Sequence, residues 1–365
     1  MRVINIFLFL LYTIHATGQE DYRIYHKMIN NAERCFFLEN KTDSAYQYYD
    51  AAFAKFDFVF AKDCYMAAQI AYYNKNERYI AYLRKGFKNG IRPEQLKYSE
   101  ILSPLLKDTL AFKKKFNDYQ ELRKAYLKRI NVWALKKIIQ NVCQDQSEKN
   151  IYHNDDVPGH EYEYYRKLYP HINFIETLTR QVGFPGDKLI GIDQVNIMKE
   201  LGQDSADYMD LYNQIYRDPK YHTEKTQFYS CDDCVAQTKV FPLLIHHVCA
   251  YQYFSTYWEK LIISGQVHPR DVAMLYDNIV DLYNPELDPS MIKKITDAFA
   301  CTYSRPCGCY ENNIFVHYKT LGCNRHVVDS MRTALYINTL EVDSAKKNFG
   351  DHRMFKTTFG FNGCR

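Results

Sequence analysis

Glycine and proline are scarce in this chain, 14 and 11 among 365 residues. A long chain with so few breakers is predominantly helical, and a fold of many short strands joined by tight turns is excluded. An excess of one charge is missing as well: 47 Lys and Arg against 43 Asp and Glu leave +4, spread along the chain. That balance excludes the electrostatic footprint of a nucleic-acid or membrane-surface binder. The short basic runs, Lys113 to Lys115 and Lys136 with Lys137, fall inside helical patterns and read as solvated faces. No glycine loop for phosphates, no nucleophile at a recognisable turn and no paired-carboxylate signature is present, so no reaction is legible.

Long apolar runs are missing beyond the start. The chain opens "MRVINIFLFLLYTIHATGQE": Arg2, an apolar run from Val3 to Leu11, then Ala16 and Gly18 before Gln19. This pattern predicts a secretory signal peptide over residues 1–18, since a membrane span needs about 20 apolar residues. The expected product is exported to the periplasm or cell exterior, with no stable membrane insertion after cleavage.

Shifted by 34 residues, "NKTDSAYQYYDAAF" (Asn40 to Phe53) falls on "NKNERYIAYLRKGF" (Asn74 to Phe87). Asn40 meets Asn74, Lys41 meets Lys75, Tyr48 meets Tyr82, Ala52 meets Gly86 and Phe53 meets Phe87. Over about residues 24–105 this resembles tetratricopeptide-type repeats, whose paired helices stack because one pair cannot bury its apolar face alone. The resemblance implies a surface suited to a peptide or protein partner. "PEQLKYSEILSPLLKD" reads as the start of a degenerate third unit, broken at Pro104.

From Asp108 to Lys149, Leu122, Tyr126, Ile130, Trp133, Ile138 and Val142 recur at helical spacing, giving one or two long amphipathic helices. The acidic stretch after them, with His153, Asp155 and Asp156, lacks fixed cation-ligand spacing and reads as a solvated connection. Next, "NFIETLTRQVGFPGDKLIG" reads as a helix closed by Gly183, with Pro185 preventing continuation. "DQSEK", "GFP…IG", "LLIHH" and "YDN" follow in the order of an uncharacterised bacterial helical family of unknown function, which this region resembles over about residues 135–285. The matching positions are Asp145, Gln146, Asn173, Gly183, Pro185, Gly191, His247 and Asp277. Lys149, Phe184, His246 and Asn278 depart from its pattern, and the resemblance brings no reaction.

"CDDCVAQTKVFPLLIHHVC" holds the remaining chemistry. Pro242 predicts the start of a helix running to Gly265, with His247 on the stripe of Leu243, Leu244, Tyr251, Phe254, Trp258 and Leu261. His246 and Cys249 then share a face, and with Cys231 and Cys234 they match what tetrahedral zinc accepts. Export argues for disulfides instead: eight of the 11 cysteines, Cys231, Cys234, Cys249, Cys301, Cys307, Cys309, Cys323 and Cys364, crowd into the last third. No cofactor is predicted, zinc being the alternative. The candidate polar cluster is Asp145, Gln146, His247 and Asp277, with His247 either a satisfied core residue or a general base.

The resulting expectation is an all-α protein: a leader over 1–18, tetratricopeptide-like hairpins over 19–107, a helical domain over 108–290, and a Cys-rich irregular segment over 291–365. Its expected role is an interaction or scaffold module with a protein or peptide partner. The alternative is a hydrolase-like or zinc-dependent enzyme centred on His247 or the Cys231/Cys234/His246/Cys249 constellation.

Overall fold

The computed structural model describes residues 20–152, 160–192, 197–203, 238–247, 249–281, 325–353 and 355–356. Those residues form helices and turns with no strand, as the shortage of breakers requires. Among them, no helix is long and apolar enough to cross a membrane.

Two helical hairpins open the fold. Helix α1 (Tyr22–Phe37) begins at Asp21, whose carboxylate accepts from the Arg23 amide, and turns Tyr22, Tyr25, His26, Ile29 and Glu33 inward. It pairs with α2 (Thr42–Lys55), and α3 (Ala61–Tyr73) pairs with α4 (Arg78–Lys88). Helix α3 is buried on all sides from Ala61 to Ala71, so it forms the central rod of this half. Gly86 allows α4 to approach it closely: a Cβ there would lie 2.6 Å from Ile91 Cδ1 and 3.4 Å from Cys64 Cβ.

The 34-residue register holds for the core. Ala45 and Tyr79, Tyr49 and Leu83, Ala52 and Gly86, and Phe53 and Phe87 are buried pairwise. It fails at the tyrosines matched by type, because Tyr48 is 37% exposed and Tyr82 only 2%. Tyr82 packs on Tyr49 and Phe53 of the preceding hairpin at 6.1 and 5.5 Å, whereas no described hairpin covers Tyr48. The expected third unit is also corrected. Residues 93–106 form two 3-10 turns, Pro93–Tyr98 and Ser103–Leu106, pinned where Ser99 Oγ donates to Gln69 Oε1 at 2.8 Å.

The stretch read as one or two long helices is three: α5 (Thr109–Lys115), α6 (Tyr119–Arg129) and α7 (Val132–Tyr152). Breaks at 116–118 and 130–131 rotate the faces, and Trp133 emerges 50% exposed although it shared the apolar spacing. Helix α8 (His160–Val182) packs on α7 and ends where expected, at Gly183 with φ 105°. A short turn, α9 (Ile197–Glu200), carries Glu200 to the Arg123 guanidinium at 2.8 Å.

The single helix expected from Pro242 to Gly265 is broken into α10 (Val240–Ile245), α11 (Ala250–Tyr253) and α12 (Trp258–Ile263). Side chains capture the backbone at both breaks. The Cys249 amide donates to His247 Nδ1 at 3.1 Å, and Trp258 Nε1 donates to the Tyr251 carbonyl at 2.8 Å. Leu243, Leu244, Phe254, Trp258 and Leu261 nevertheless reach one core. Helix α13 (Pro269–Asp281) follows.

The segment expected to be irregular contains α14 (Arg325–Ala334) and α15 (Leu340–Arg353). Helix α15 packs on α1, placing Phe349 against Phe36 and Phe37 at 5.2 and 5.5 Å. The buried Gln69 side chain brackets the Lys356 backbone, donating to its carbonyl at 2.9 Å and accepting from its amide at 2.8 Å. One core therefore joins residues 22–116 to Phe355, and a second runs from Tyr126 to Leu275.

Candidate functional site

Asp145 sits fully buried on α7, and the histidine it holds is His246, not His247: Asp145 Oδ2 lies 2.8 Å from His246 Nδ1. Tyr164 donates to the other carboxylate oxygen at 3.3 Å. His247 lies instead among the rings of Tyr165, Tyr253 and Tyr169, at 5.8, 5.7 and 6.4 Å. Burial pushes its pKa down to about 3, so it stays neutral and is too weak a base to serve near neutrality. The broken helix explains the exchange. With His247 and Cys249 both outside the helices, three-residue spacing no longer sets which side chains share a face.

The side chains of Gln146 and Asp277 lie outside the described residues, as do Cys231, Cys234, Cys301, Cys307, Cys309, Cys323 and Cys364. Cys249 is buried, and Cys35, Cys64 and Cys143 are buried free thiols. Asn173 is exposed. Gly183, Pro185 and Gly191 shape a turn: the Phe184 amide donates to Gln266 Oε1 at 2.7 Å, and a Cβ on Gly191 would meet Tyr126 Oη at 2.3 Å. Among the described residues no group of three or more His, Cys, Asp and Glu is arranged to hold a metal.

Sequence reasoning missed a seam of buried charge where α1 and α3 meet α13 and α15. Lys62 pairs with Asp271, and Lys346 with Glu33. Asp343 receives two guanidiniums, Arg332 and a bidentate Arg270 at 2.7 and 3.0 Å, which hold its carboxyl far below the usual range despite burial. Asp63 accepts from Tyr25 at 2.8 Å and lies 3.4 Å from His268 Nε2. His26 and His268 pack edge to face at 5.6 Å, and burial lowers both pKa values, that of His26 to about 3. Asp187, with one oxygen lacking a hydrogen-bond partner, is pushed up to about 7 by burial, against the pull of Lys62. The signal was present: Lys62 and Asp63 interrupt an otherwise apolar, Ala-rich run. Each buried cation here is paired with a carboxylate, which makes the seam structural.

The outward face of α1 differs. Arg23, Lys27, Asn30, Asn31, Arg34 and Leu38 form one wall of a half-open groove of about 680 Å³, and residues 333–342 form the other. Lys27 and Arg34 are exposed and make no ion pair with any described residue. Tyr336 stands on the opposite wall with φ 59°, at the left-handed position closing α14 where glycine is usual. The Asn30 side chain donates to its carbonyl at 2.8 Å. The signal for this groove was the polar stripe at 23, 27, 31 and 34, one face of a helix.

Comparison with known proteins finds no match to this chain among protein-family models, curated proteins or solved structures.

Proposed function

We propose that this chain is an exported protein-interaction module. In this reading, the tetratricopeptide-like hairpins are the scaffold and the groove between α1 and residues 333–342 is the docking surface. The observation that carries the reading is the groove: its size falls in the range of ligand sites, and it lines up exposed, unpaired cations beside apolar and amide side chains. Export is supported by the leader pattern of residues 1–18, which lie outside the described residues. An oxidising destination makes the late cysteines cross-links, with Cys249 joined to one of them.

The repeats cannot be deleted to test this, because α1 and α3 share a core with the C-terminal helices. A photo-crosslinking side chain introduced at Asn31, with Trp133 as the control site, tests it in the full chain inside expressing cells. A discrete protein adduct from residue 31 and none from residue 133 is expected. Equal adducts, or none from residue 31, would overturn the docking surface.

One observation favours a second reading, a hydrolase-like or zinc-dependent enzyme. His246 Nδ1 is engaged by a buried carboxylate, the arrangement that orients a zinc-bound or general-base histidine through its other nitrogen. Elemental analysis with a free-thiol count decides it. Stoichiometric zinc with reduced Cys231 and Cys234 supports the enzyme, and oxidised cysteines without zinc remove it.

A further inference from the structure

We infer that the groove takes an extended acidic segment of a partner protein, carrying two carboxylate side chains three residues apart. The inference rests on the interaction-module reading and names the partner's chemistry. Arg23 is already forked onto Asp21, through contacts of 2.7 to 3.0 Å, so the charge available to a ligand is that of Lys27 and Arg34. Glu341, the acid on the lining, is exposed and lies 3.9 Å from Arg325.

Spacing selects the ligand. Lys27 and Arg34 are seven residues apart on one helical face, about 10 Å at 1.5 Å per residue. A single phosphate needs convergent donors, and cations separated by two turns do not converge. An extended chain near polyproline geometry advances about 9 Å in three residues and returns to the same face, bringing carboxylates i and i+3 onto the two cations. An acidic helix with i, i+7 spacing would have the right pitch. However, a helix bonds its backbone groups within itself and would leave the Asn31 carboxamide on the groove lining unmet.

The remaining lining suits a peptide. The Asn31 carboxamide makes no hydrogen bond to a described residue and faces the groove, available to a backbone amide or carbonyl. Leu38, Ile337 and Val342 supply apolar wall between the polar groups. Tyr336, on the opposite wall, adds a ring to that lining.

The test is fluorescence anisotropy on the full chain with a labelled octapeptide, Gly-Ser-Glu-Pro-Ala-Glu-Ser-Gly, and its Gln-for-Glu analogue. The acidic peptide should bind at least fivefold more tightly than the analogue and weaken with salt. Lys27→Glu and Arg34→Glu should each weaken it at least fivefold, and Lys124→Glu, an exposed charge on α6, should not. Circular dichroism confirms that the variants keep their helices. Equal binding of the analogue, indifference to both reversals, or easier displacement by inorganic phosphate or a single-stranded oligonucleotide than by unlabelled peptide would overturn the inference. Adducts at residue 31 without acidic-peptide preference would sink this chemistry and leave the module standing. Missing adducts would sink the module itself.

Discussion

The two polar faces of α1 carry similar residue types under opposite physics. Inward, Glu33 is shared by Lys346, Arg270 and Asn338, and every charge around it belongs to a matched set. Outward, Lys27 and Arg34 stand in solvent with nothing described to neutralise them. A charge removed from water must find a partner or lose its proton, whereas a solvated one can be left waiting. The inward face therefore reports on how the fold closes, and the outward face on what it meets.

Removing one member of the buried set is expected to have the largest effect. Asp343→Ala strands Arg332, leaves Arg270 only Glu33 at 3.5 Å, and should cost about 3–5 kcal/mol in urea unfolding. A loss below about 1 kcal/mol would mean that the seam is solvated and the contrast between the faces is false. Asp187→Asn should act in the other direction. Its carboxyl has a folded pKa near 7, above the unfolded value, so the folded state gains a proton on acidification and stability falls as pH rises from about 4 through 7. The variant should be about 2 kcal/mol more stable than the parent at pH 8 and no more stable at pH 4; the full shift is discounted because Lys62 and Asp271 share the charge.

The buried histidines carry the opposite sign. The folded pKa of His247 is depressed to about 3, so below pH 6.5 the unfolded chain takes up a proton that the fold refuses. Stability is then lost as pH falls, by about 1.4 kcal/mol per pH unit for such a group. His247→Gln should flatten the acid limb of the stability profile by that slope, and an unchanged slope would show a solvated ring. The smallest effect belongs to the outward face. Lys27→Glu and Arg34→Glu should each shift stability by less than about 0.5 kcal/mol, and a larger loss would show that these cations are pinning the fold.

Helix content, the repeat period and the closing of α8 at Gly183 are legible in the sequence alone, because each depends on neighbours a few residues away. The breaker count sets the fold class, small residues at 52 and 86 set the helix approach, and a glycine before Phe184 and Pro185 ends a helix by its own backbone freedom. Even so, pairing by residue type misplaced Tyr48, since burial depends on whether another hairpin lies above it.

What only the tertiary structure decided are meetings across long stretches of chain. Asp145 finds His246 over 101 positions, Lys62 finds Asp271 over 209, and Asn30 reaches Tyr336 over 306. Helical periodicity says which face a residue occupies while the helix lasts. It says nothing once His247 and Trp258 capture the backbone and break that helix. Partner choice for a buried charge is a global electrostatic balance struck as the elements pack, so it has no local signature beyond a charge placed in an apolar run.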